Sequence, residues 1–70
     1  MNEVKIIVRG MNCDHCKMRV QDHLQQLKGI NHVIADVDSQ VVSMEGDDID
    51  LDKVKAAVEE IGYHYDGELL

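Results

Sequence analysis

Apolar residues alternate from Val4, with Val4, Ile6 and Val8 on one face and Lys5, Ile7 and Arg9 on the other, the period of a half-buried strand. Ile7 is the apolar exception on the outer face. Gly10 ends the alternation, and Cys16, Val20, Leu24 and Leu27 then recur at helical spacing. Asp14 stands where an N-cap or a first-turn acid helps a helix start, and Gly29 is expected as the C′ residue near its end. Ile30 to Val37 reads as a second strand with Ile30, Val33, Ala35 and Val37 inward; the step from Ile30 to Val33 calls for a bulge or an irregular start. Polar Asp38-Ser39-Gln40 reads as a turn, so Val41 to Glu45 is expected to pair back as a hairpin, with Met44 in phase with Val42 on the inner face. Gly46-Asp47-Asp48 ends that strand. Asp50 is a good N-cap for a second helix along Leu51, Val54, Val58 and Ile61, stopped by Gly62, and Tyr63 to about Glu68 forms a last short strand.

Strand-helix-strand twice over, with each helix followed by a glycine and an apolar residue (Gly29-Ile30 and Gly62-Tyr63), is the order of a split-βαβ chain. The expected class is α+β: a ferredoxin-like βαββαβ sandwich, a four-stranded antiparallel sheet with two helices on one face. The two halves read as weak structural repeats, and only the first holds cysteines. No linker or low-complexity tract interrupts the 70 residues, so one domain over residues 1–70 is expected. A core of this size rarely supplies more than ~3–5 kcal/mol. It has no Trp and no Phe, and must be filled by Val, Ile, Leu, Ala and Met. That leaves little room for an aromatic-lined pocket of ~300–1,000 Å³. The chain is therefore expected not to be an enzyme acting on an organic substrate.

A net charge of −7 argues against nucleic acid, whose phosphates need clustered Lys and Arg. The charge is uneven. Residues 1–29 hold Lys5, Arg9, Lys17, Arg19 and Lys28 against Glu3, Asp14 and Asp22, whereas residues 30–70 hold only Lys53 and Lys55 against all the remaining acids. Steering toward a partner is one use of such a dipole, and plain solubility is the other. No apolar run approaches the length of a membrane span, and the N-terminus lacks the basic-then-apolar build of a signal peptide. Membrane insertion is not expected, and a cytoplasmic location is, where thiols stay reduced. A processed periplasmic form beginning at an added Met is the alternative.

Both cysteines lie in Gly10-Met11-Asn12-Cys13-Asp14-His15-Cys16, at a strand-to-helix junction. Two thiolates on a short loop can close on one soft metal ion or on each other as a disulfide. A CxxC near a βαβ pattern opens a thioredoxin-like redox reading. Against it, the chain has no proline to stand beside the cysteines in that fold's manner. Among metals, Cu(I) accepts soft sulfur and a low coordination number. A structural Zn(II) site wants four ligands, and here only Asp14, His15 or His64 would supplement the two thiols. Cys16, in the first helical turn, is expected to have its thiol pKa lowered by the helix N-terminus, while Cys13 lies on the exposed loop.

The same seven residues, after a first strand and opening a helix in a βαββαβ chain of this length, resemble the heavy-metal-associated domain family. That family includes small bacterial copper chaperones, which the chain is most like, and the N-terminal metal-binding domains of copper-transporting P-type ATPases. The likeness runs down to Gly62-Tyr63. It implies a copper chaperone holding one Cu(I) between Cys13 and Cys16 and passing it by ligand exchange to a copper-transporting P-type ATPase or another dithiol acceptor. It also implies that Met11 is tucked into the core beneath the loop rather than ligating, and that Tyr63 packs beside the site, where its hydroxyl shields the metal or fixes the loop. Ordinary core packing would serve Tyr63 equally. Some members have a His where His15 stands, expected here to point to solvent and tune the thiolates. His64 is expected to approach the loop across the fold, while His23 and His32 read as surface residues. Arg9, Lys17 and Arg19 flank the site as a docking patch or as a solvated face. A Zn(II), Cd(II) or Hg(II) carrier and a small dithiol-disulfide module are the alternatives. The family also allows a metal-bridged homodimer. The start at Met1 and the end at Leu70 favour a stand-alone chaperone over a domain of a longer transporter.

Overall fold

The structure, a computed structural model, describes residues 2–69. Its elements run β1 (Asn2–Arg9), α1 (Asp14–Gln25), β2 (Ile30–Asp36), β3 (Val41–Gly46), α2 (Leu51–Glu60) and β4 (His64–Glu68). The strands form one antiparallel sheet in the order β2-β3-β1-β4, with both helices on one face. Ile6 and Val8 of β1, Val33 and Ala35 of β2, and Val42 and Met44 of β3 point into the core against Val20 and Leu24 of α1 and Val54 and Val58 of α2. These are the inward sets that the alternation and the helical stripes predict. The irregular start of β2 is also present, as a register shift between Ile30 and His32. No helix among the described residues is long and apolar enough to cross a membrane.

Element ends depart from the sequence reading where backbone geometry overrides the pattern. Helix α1 stops at Gln25, before the expected Gly29. Tighter bonds from the Gln26 N–H to the His23 carbonyl and from the Leu27 N–H to the Leu24 carbonyl wind it down first. Gly29 serves another contact. It has φ +91, its carbonyl accepts from the Asp47 N–H at 2.8 Å, and a Cβ on Gly46 would lie 1.9 Å from that carbonyl oxygen. Two glycines thus let the α1–β2 connection touch the end of β3 backbone to backbone. Strand β2 ends at Asp36, leaving Val37 half-buried in the turn, and β4 begins at His64 rather than Tyr63.

The second helix follows its signals. The Asp50 side chain accepts from the Asp52 N–H at 3.0 Å as an N-cap. At the other end, the Gly62 N–H bonds the Glu59 carbonyl and the Tyr63 N–H bonds the Val58 carbonyl, a Schellman closure that delivers Tyr63 toward α1. The free edge of β2 is covered by side chains of α1. Gln21 Oε1 accepts from the Ala35 N–H at 2.8 Å, and Gln25 Nε2 donates to the Asn31 carbonyl at 2.7 Å. Sheet-edge groups that would otherwise face solvent or a second strand are bonded within the chain.

Candidate metal centre

Cys13 is the N-cap of α1, with extended φ −157 and ψ 174, and its carbonyl accepts the first helical bond from the Lys17 N–H at 3.1 Å. Asp14 is therefore the first helical residue, a first-turn acid and not the cap. Cys16 occupies the third helical position. The two cysteines have the spacing of a capping box, in which the N-cap and third-residue side chains reach toward each other over the helix end. Here the convergent atoms are sulfurs. Cys13 Sγ and Cys16 Sγ stand 3.5 Å apart, within hydrogen-bond distance and with no disulfide between them, and the Cys13 side chain caps no backbone amide.

The environment of the two sulfurs is asymmetric. Cys13 is exposed, and Cys16 is half-buried against the core beside Tyr63. Cys16 lies beside Tyr63, and hydrogen bonding by the Tyr63 hydroxyl is the largest of the effects that, with backbone amides at Asn12 and Cys13 and the Cys13 side chain, pull the Cys16 pKa from 9.0 down to about 7, against a smaller opposing effect of burial. The helix end expected from sequence contributes through those amides, and the phenol is the largest single cause. The same hydrogen bond raises the Tyr63 pKa. Negative charge can therefore reside on a sulfur near neutral pH, where a soft cation can take it.

Below the loop, Met11 is 2% exposed and part of the core, as the resemblance implies, so its thioether faces packed side chains. Gly10, at φ +103, lies under the Tyr63 ring, and a Cβ there would meet Tyr63 Cδ1 at 3.2 Å. Glycine at that position admits both the turn and the ring. A third support comes from Gln40, which the sequence reading left in a polar turn. Its Oε1 accepts from the Gly10 N–H at 3.1 Å, and its Nε2 donates to the carbonyls of Met11 at 2.6 Å and Val37 at 2.7 Å. Gly10 and Met11 lie 30 and 29 positions from Gln40 in sequence, so no local pattern could reveal those two bonds.

His15 is exposed, as expected, in an open furrow with Cys16, Met18, Arg19, Asp22 and Tyr63. His64 is not at the site. Alternation along β4 turns Tyr65 toward the core, so His64 faces the other side of the sheet, 4.0 Å from Asp66 Oδ1. Arg9 is held on that same side by Asp66 at 3.1 Å, which leaves Lys17 and Arg19 as the basic residues next to the cysteines. His23 is half-buried between the helices, 4.0 Å from Glu60 Oε2, rather than a plain surface residue, while His32 is exposed. Among the described residues no group of three or more His, Cys, Asp or Glu is arranged to hold a metal ion.

Comparison with known proteins agrees with this arrangement. The family profile described as the heavy-metal-associated domain matches residues 5–64. The copper chaperone CopZ of Staphylococcus haemolyticus is 35% identical over 60 residues, covering 83% of this chain and 88% of that protein. A solved CopZ metallochaperone superposes with a TM-score of 0.87 at 29% identity, over 91% of this chain and 98% of that one. A copper binding domain of a P-type ATPase superposes at 0.91 over 100% of this chain and 96% of that one; at 19% identity this is a likeness of fold.

Proposed function

The chain belongs to the heavy-metal-associated domain family, and on that premise we propose that it is a copper chaperone, binding one Cu(I) through Cys13 and Cys16 and handing it to a partner dithiol site. The observation that carries this reading is the isolated pair of convergent sulfurs, 3.5 Å apart at a helix N-terminus. Among the described residues no further His, Cys, Asp or Glu completes a closed ligand set with them. A tetrahedral Zn(II) site lacks its remaining ligands, whereas a soft ion content with two sulfurs does not. The similarity to copper chaperones supports the same ion.

The sulfur separation bears on transfer. With a metal–thiolate bond of ~2.3 Å, the length typical of Zn–S, a linear two-coordinate ion needs its sulfurs roughly 4.6 Å apart. At the present separation both sulfurs can share an ion only in a bent arrangement, near 100° by the same arithmetic, which leaves one side open. Exposed Cys13 can swing outward to the linear state, while Cys16 is half-buried against the core, as is Tyr63. An incoming thiolate adds on the open side, a three-coordinate intermediate forms, and the Cys13 thiolate leaves first. The metal is cargo, and no covalent bond of an organic substrate is made or broken. The fitting acceptor is a dithiol domain such as that of a copper-transporting P-type ATPase, in a compartment where thiols stay reduced.

The test is competition of the fully reduced protein for Cu(I) and Zn(II) against chelators of known affinity, with X-ray absorption at the metal edge. Tight one-to-one Cu(I) with sulfur-only ligands is expected, lost in both Cys13→Ser and Cys16→Ser while the fold persists. Undiminished Cu(I) binding by either serine variant would rule out the dithiolate. Preferential Zn(II) with mixed ligands would make the chain a zinc carrier.

A further inference from the structure

We infer that Gln40 is a positioning residue of the metal loop: its side-chain amide substitutes for a missing strand residue and fixes the backbone from which Cys13 and Cys16 project. Main-chain pairing between β1 and β3 ends at Ile7 and Val41. Gln40 continues the ladder in two stages. Its carbonyl accepts from the Val8 N–H at 2.8 Å, and its primary amide then does what a peptide group would do next. Oε1 takes the Gly10 N–H at 3.1 Å and Nε2 gives to the Met11 carbonyl at 2.6 Å. The second Nε2 proton goes to the Val37 carbonyl at 2.7 Å, tying the clasp to the turn that bears it. All three polar functions of the amide are used. Without Gln40 the Met11 carbonyl would lose a bond immediately before the cysteine loop, where Met11 itself is buried.

Local backbone preference gives no reason for glutamine here. Gln40 has φ +61, a left-handed conformation in which glycine or asparagine is at ease and a long unbranched side chain is not. A residue that violates the local rule while its side chain makes two long-range bonds and one local one is explained by those bonds. Glutamate has the same length but no amide donors, and would set a carboxylate against two carbonyl oxygens. Asparagine suits the left-handed turn but is one methylene too short to span to Met11.

The role in metal retention rests on the Cu(I) reading above, so the experiment has a metal-free arm. Amide hydrogen exchange of the apo protein is compared for wild type, Gln40→Asn and Gln40→Glu, with the Val42 amide as a core reference. Cu(I) affinity is measured on the same samples by chelator competition. Expected are at least tenfold faster exchange at Gly10 in both variants, little change at Val42, and at least a fivefold weaker hold on Cu(I). In wild type the Gln40 side-chain amide protons should exchange far more slowly than those of an unstructured glutamine. Free-glutamine exchange in wild type overturns the clasp without any variant. Equal acceleration at Gly10 and Val42 overturns a positioning role, because global destabilisation would explain it. Unchanged Cu(I) affinity despite a loosened Gly10 overturns the link to the site. Failure of wild type to bind Cu(I) would sink the functional reading instead, leaving the clasp to be decided on the apo exchange.

Discussion

The Cys16 thiol and the Tyr63 phenol shift each other's protonation in opposite directions, and the consequences can be worked out group by group. The Cys16 pKa lies at about 7 in the folded chain, below the ordinary cysteine value of 9.0 that the unfolded chain keeps. Its folded pKa is the lower one, so the stability it contributes is fully present above the unfolded value and is lost as pH falls through about 7. Tyr63 has the opposite sign: its folded pKa is raised, so its contribution is complete below 10.0 and erodes above that. Titrating the ultraviolet thiolate absorbance of the apo protein should show one early thiol near pH 7, and Tyr63→Phe should move that titration upward, since the hydroxyl is its largest cause. An unmoved titration in the phenylalanine variant would assign the low pKa to the backbone amides and the Cys13 side chain. Spacing along the chain placed both cysteines at the strand-to-helix junction, and the family resemblance placed Met11 in the core beneath the loop and Tyr63 beside it. Neither gave access to the phenol as the largest single cause of the low pKa, to Gln40, or to the turning-away of His64. Those depend on side-chain direction across the sheet, which spacing along the chain does not encode.

At the scale of elements, the hydrophobic period located every strand and helix, and the largest misplaced boundary, the end of α1, lies where two backbones meet. Gly29 is the clearest case. A glycine shortly after a helical stripe reads as a cap, and the same residue serves equally for close approach; only the neighbouring position of Gly46 distinguishes the two uses. Gly46 is the last residue of β3, still paired with both neighbouring strands, and a glycine there signals an approaching backbone. Gly46→Ala would place a methyl 1.9 Å from the Gly29 carbonyl oxygen, with backbone on both sides and no flexible side chain to yield. Overpacking a tight site ordinarily costs ~1–3 kcal/mol, and a backbone collision belongs at the upper end or beyond. We expect a loss of at least ~3 kcal/mol in urea denaturation, comparable with the whole stability of so small a core. A change below ~1 kcal/mol would mean that the α1–β2 connection can retreat from β3 without consequence.

For the whole molecule, the notable relation is between a small aliphatic core and a metal loop confined to one end of it. Both sulfurs belong to a single helical turn, so an ion between them joins no distant segments and removes little loop entropy from the unfolded chain. Stabilisation by Cu(I) must then come from mass action: the folded chain holds the two sulfurs convergent and the unfolded chain does not. Free ion at a hundredfold excess over the dissociation constant adds ~2.7 kcal/mol. In a domain of this length each kcal/mol moves the melting temperature by about 4–8 °C, so Cu(I) loading should raise it by at least ~10 °C under reducing conditions. The shift should grow with the logarithm of free ion and vanish in Cys13→Ser, whose exposed position leaves the apo fold unaltered. Because no cross-linking contribution confuses it, the size of the shift reports the affinity of the site directly. A loaded protein that melts within ~2 °C of the apo form would mean that the unfolded chain binds Cu(I) nearly as well, and that the fold presents the sulfurs to a partner without strengthening their hold on the ion.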